Sequence, residues 1–166
     1  MIIDNTFFQD GLLRIEGLAA YATPSPTNEA IISNIESFID QYEPEYMCKL
    51  LGEELYREYL QNRDGGSQIW NEFEAILIQG DSLRRSPIAN YVYFHMLRSY
   101  HTNATINGVR IDNDYGILKS PERKMISAWN DMCKMNRKLF RWLENANLKG
   151  WEFDMELLET INNFGI

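Results

Sequence analysis

The chain has 166 residues, enough for one domain with a sizeable core, and at 45% hydrophobic and 24% charged residues it is too apolar to remain disordered. Sixteen lysines and arginines against 24 aspartates and glutamates leave a formal charge of −8, which argues against an ordinary nucleic-acid binder, because such proteins neutralise phosphate with a basic patch. No apolar run reaches bilayer length, and Met1-Ile-Ile-Asp-Asn5 has neither region of a secretion signal, so a cytosolic protein without a membrane partner is expected.

From Met1 to Tyr21 the apolar residues come in pairs (Ile2-Ile3, Phe7-Phe8, Leu12-Leu13) with no helical period, and residues 1–26 are expected to form an extended arm. Thr23-Pro-Ser-Pro26 is a breaker. A helix capped by Thr27 or Asn28 then carries Ile31, Ile35, Phe38, Ile39 and Tyr42 at spacings of three and four and is expected to end near Pro44. Pro44 can open a second helix that keeps the period from Tyr46 to Leu60, with Gly52 as its weak point. After the turn Asn62 to Gly66, Ile69, Trp70, Phe73, Ile76 and Leu77 mark a third helix, closed near Gly80.

Ser86-Pro87 supplies a cap and a first helical position for a fourth helix ending near His101. Here Ile88, Ala89, Tyr91, Val92, Tyr93, Phe94, Met96, Leu97 and Tyr100 occupy nearly every direction around the axis, which a helix with one wet side does not need. Asn107-Gly108 between short β-prone runs predicts a small hairpin or loop over 102–119. Ser120-Pro121 opens a long helix to about Asn145, and Asp154 caps a last short helix with Phe153 and Leu158 as a staple. The expected fold class is all-α: one domain, 1–166, of five or six helices with a small β-hairpin and an extended N-terminal arm.

The residue types of an active site do not converge. His95 and His101 are six apart, on different sides of a helix, so they cannot clamp one metal, and His95 is expected as a core or interface histidine bonded to a carbonyl. Asp112 to Gly116 lacks the glycine and glutamate spacing of a calcium loop, and Glu53, Glu54 and Glu58 read as a solvated helix face. Cys48 and Cys133 lie in apolar helical patterns without metal-ligand spacing and read as buried thiols. No catalytic residue, cofactor or metal is expected. Tyr91, Tyr93 and Tyr100 could line a ligand pocket, but an all-round apolar helix is more often the centre of a bundle or shared with a neighbouring subunit.

Three blocks, "YEPEYMCKLLGEELYREYL", "SPIANYVYFHMLRSYHTNATINGV" and "SPERKMISAWNDMCKMNRKLFRWL", taken in this order resemble the small helical head-tail connector proteins, also called adaptor or head-completion proteins, of tailed phages and prophages of Bacteroidetes. The likeness runs from about Ile31 to Leu143. It implies a non-enzymatic virion protein, present in the host cytoplasm before assembly, that forms a ring extending the portal channel and docks the tail. Its implied partners are copies of itself, the portal protein and a tail or stopper protein, with DNA passing unbound through the channel. On that reading Tyr91, Tyr93, Phe94, His95 and Tyr100 are subunit-interface candidates, and Ile106, Asn107, Gly108, Val109 and Arg110 form a partner-contact loop. The acidic excess would keep DNA from sticking to the channel wall. The alternative is a helical ligand-binding regulator or small enzyme with a pocket around the aromatic helix.

Overall fold

The computed structural model describes residues 1–15, 18, 26–80, 84–101, 103–105, 108–110 and 121–162. Among them are five α-helices: α1 (Pro26–Leu51), α2 (Glu53–Asn62), α3 (Gln68–Leu77), α4 (Pro87–His101) and α5 (Pro121–Ala146). Two three-residue strands, β1 (Asn103–Thr105) and β2 (Gly108–Arg110), pair antiparallel with Ala104 opposite Val109. The turn expected at Asn107-Gly108 includes Ile106 and Asn107, which lie outside the described residues.

The helix α4 is the central element. It packs most extensively on α5 along one side and on α1 along another. Ile88, Ala89, Tyr91, Val92, Tyr93 and Met96 are all buried within this single chain. Ser86 Oγ accepts from the N–H of Ile88 at 3.3 Å and so caps the helix start, as the Ser-Pro pair predicts. The all-round apolar character of α4 therefore has its cause inside the protomer: α1 contributes Tyr42 and Tyr46, and α5 contributes Trp129, to rings around Tyr91.

Three expectations need correction. The helix α1 does not end at Pro44 but runs through it to Leu51. A mid-helix proline costs about 3 kcal/mol, yet Ile35 and Ile39 before it and Tyr46, Met47, Leu50 and Leu51 after it are all buried on a continuous face. Burying each such side chain is worth about 1.5–3 kcal/mol, so continuity wins. The break comes instead at Gly52, where φ +79° and ψ 158° lie in a region almost reserved for glycine.

The N-terminal segment is not an extended arm. Through Leu13 it forms two single 3-10 turns (Asn5–Phe8, Gly11–Leu13), and Ile3, Phe7, Phe8 and Leu13 are buried in the common core. Its entry is fixed by the buried Glu43 carboxylate, which accepts from the N–H of Ile2 at 2.8 Å and of Ile3 at 3.1 Å. The expected last helix is a single 3-10 turn, Met155–Leu158, with the Asp154 side chain accepting from the N–H of Glu156 at 2.9 Å. Behind it, Asn136 of α5 accepts from Tyr46 Oη at 2.5 Å and donates to the Leu157 carbonyl at 2.9 Å, joining α1, α5 and the tail in one buried bridge.

Candidate functional site

Where α1, α4, α5 and the C-terminal segment meet, a cleft of about 360 Å³ opens between Glu45, Lys49, His95, Arg98, Trp129 and Glu156. Each wall has a local cause. Glu45 and Lys49 are one turn apart on α1, and Tyr91, His95 and Arg98 recur at four and three residues on α4, so each helix turns one edge toward the gap. Lys49 Nζ reaches Asp154 Oδ2 and Glu156 Oε2, both at 2.8 Å, and ties the tail to α1. That pairing raises the Lys49 pKa and holds the Asp154 carboxyl below its ordinary value. Trp129 Nε1 donates to the Glu159 carbonyl at 2.7 Å and closes the floor.

The imidazole of His95 stacks on Tyr42 with ring centroids 4.3 Å apart and lies 4.4 Å from the Tyr91 ring. Its Nε2 is buried and, among the described residues, has no hydrogen-bond partner. Burial lowers its pKa, with Glu45 acting in the opposite sense, so the ring is held neutral more firmly than in water. Tyr91 Oη donates to Glu45 Oε1 at 2.6 Å, and burial together with that carboxylate pushes its pKa well up. Cys133 donates to the Glu159 carbonyl, and burial raises its thiol to about 11, which keeps it protonated and a poor nucleophile. Cys48 is only half-buried, a modest departure from the buried thiol expected. Among the described residues no group of three or more His, Cys, Asp or Glu side chains could hold a metal ion.

Of the five aromatic-helix candidates, Tyr91, Phe94 and His95 line the cleft, whereas Tyr93 and Tyr100 do not. Tyr91 and Tyr93 are each 2% exposed, and Tyr93 points the other way, stacked on Phe8 at 6.5 Å. Side chains this deeply buried are packed by their own core, and Tyr91 also borders the cleft. Phe94 is half-buried against Trp129, His95 lines the cleft, and Tyr100, 46% exposed, leans on Phe38. Gly108, Val109 and Arg110 make up β2; Ile106 and Asn107 lie outside the described residues.

Sequence reasoning missed Glu45, Lys49, Trp129 and Glu156, which come from three separate segments and carry no motif. It also missed the distribution of charge over the outer helices. The side of α1 away from α4 exposes Glu29, Glu36 and Asp40, whereas the side of α5 away from α4 exposes Lys134, Arg137, Lys138 and Arg141. The spacing of those four cations, three, four and seven apart, was available as a signal of one face.

The fold and the cleft define a single-core, all-α protein with a charge-divided surface. No protein-family model, no curated protein and no solved structure matches the chain.

Proposed function

We propose that the protein is a structural subunit of a phage head-tail junction, a ring component that extends the portal channel and docks the tail. The observation that carries this reading is the pairing of β1 with β2 in the stretch that joins α4 to α5, the most closely packed helix pair. A short antiparallel strand pair attached to a helical body is the kind of element by which a subunit reaches a neighbouring layer through strand addition. The resemblance of residues 31–143 to head-completion proteins supports the same reading, and the acidic excess suits a passage that DNA traverses without sticking. Deleting the gene from a producing strain and imaging the particles tests it. Filled heads without tails, restored to tailed particles by the gene in trans, are expected; normally tailed particles from the deletion strain overturn it.

A second reading, a ligand-binding regulator or small enzyme, has one observation in its favour: the unpartnered, buried Nε2 of His95 beside an open cleft. A fragment screen followed by the nuclear magnetic resonances of His95 and the Trp129 indole tests it, with saturable shifts at both expected. Resonances that move with no fragment remove this reading.

A further inference from the structure

We infer that the basic outer face of α5 docks against the acidic outer face of α1 on a second copy of this chain, head to tail. The inference deepens the ring reading above and rests on it. On α1, the residues that meet α4 are Phe38, Tyr42 and Tyr46, four apart. Glu29, Glu36 and Asp40 are seven and four apart and lie on the opposite side of that helix, all exposed. On α5, Ala128, Trp129 and Met132 are buried toward α4, and Lys134, Arg137, Lys138 and Arg141 lie exposed on the far side. Tyr46 of α1 also bonds Asn136 of α5, so the three helices meet around one core, and each charged face lies on the side of its helix turned away from α4.

Among the described residues none of these three acids forms an ion pair; Glu36 accepts from Asn5 Nδ2 at 3.5 Å, Asp40 borders a groove shared with Met1 and Arg63, and the one basic residue of α1, Lys49, is engaged with Asp154 and Glu156. Four cations stand on the α5 face, and among the described residues their one ion pair is Lys134 with Asp131 at 2.8 Å. Opposite charges on one protein attract copies of it, and two faces that turn away from a shared core are not both covered by a single two-fold contact. Each copy joined leaves one face free, so the contact is heterologous and continues until it closes. Exposed charge pairs are individually weak and screened by salt, so this contact sets partner choice and register and depends on ionic strength. A net charge of −8 repels duplex DNA and a second copy alike, so the partner is chosen by the local match, three carboxylates at helical spacing facing four cations at helical spacing.

Sedimentation velocity of the full chain over rising concentration tests the inference. The wild-type protein is expected to associate at low ionic strength and to dissociate on adding salt. Reversing either face, as K134E/R137E/K138E/R141E or as E29K/E36K/D40K, should leave monomers, and mixing the two variants should restore association, because each then offers only the charge the other lacks. The neutral variant K134Q/R137Q/K138Q/R141Q, which is milder on folding, should weaken association by roughly tenfold. Far-ultraviolet circular dichroism confirms that each variant is folded. A wild-type protein that stays monomeric at low salt, or reversed faces that associate as well as wild type, overturns the inference, as does wild-type retention of duplex DNA by the α5 face without self-association. Charge-independent association together with tail-less deletion particles would sink these faces while leaving the ring reading standing; normally tailed deletion particles would sink the ring reading itself.

Discussion

Asn136 shows how much one polar side chain can hold. It is fully buried, with Tyr46 Oη on its oxygen and the Leu157 carbonyl on its amide, and both partners lose their hydrogen bond if it is shortened. Each buried group left unsatisfied costs about 1–3 kcal/mol, so Asn136→Ala should lower stability by several kcal/mol in urea unfolding, whereas Tyr46→Phe, which orphans only one acceptor, should cost less. Equal effects would mean that the bridge to Leu157 contributes nothing. His95 makes a second prediction, with its sign set by burial. The unfolded imidazole takes up a proton near its ordinary pKa of 6.5, while the folded one resists until lower pH. The unfolded state then binds more protons in the window below 6.5, so this contribution to stability is complete above 6.5 and shrinks as pH falls through that window. The melting temperature of the wild type should drop more steeply than that of His95→Phe between about pH 7 and about pH 5. Parallel curves would show that the ring is not held neutral.

The helices divide into those whose ends are written locally and those whose ends are decided by packing. The starts of α4 and α5 were legible because Pro87 and Pro121 preset φ for a first helical position, and at α4 Ser86 supplies the cap as well. The length of α1 was not legible, because Pro44 is a strong local stop signal and the buried faces on either side of it that override the signal exist only once α4 is in place. Gly52 was read as a soft spot inside a helix and is the junction itself. A side chain there would meet the Glu152 Cβ at 3.0 Å, and the backbone angles suit glycine alone. Gly52→Ala should therefore cost about 1–3 kcal/mol, read as a shift of the urea midpoint at constant slope. An unchanged midpoint would show that the α1–α2 junction relaxes away from Glu152.

Across the whole molecule, the sequence carried the helical class and the centrality of α4, but not the reason for that centrality. Apolar residues on every side of α4 look the same whether the covering surface belongs to another subunit or to the same chain; the difference lies in residues 1–15, whose 3-10 turns have no periodicity to read. The cleft was illegible for a related reason, since its walls are drawn from positions as distant as Glu45 and Glu159. Whether the N-terminal segment is core or appendage has a direct consequence for stability. Removing residues 2–15 would strip Ile3, Phe7, Phe8 and Leu13 from the interior and expose Tyr93, whose ring stacks on Phe8. Losing a buried phenylalanine alone costs about 3–5 kcal/mol, and a domain has only about 5–15 kcal/mol in total. The shortened chain should lack a cooperative thermal transition, and Phe8→Ala in the full chain should lower the melting temperature while preserving one. An appendage that merely reached toward other subunits would leave both melting curves where they were, so a truncated protein that melts like the intact one would return these residues to the surface and reopen α4 as a face for a neighbouring copy.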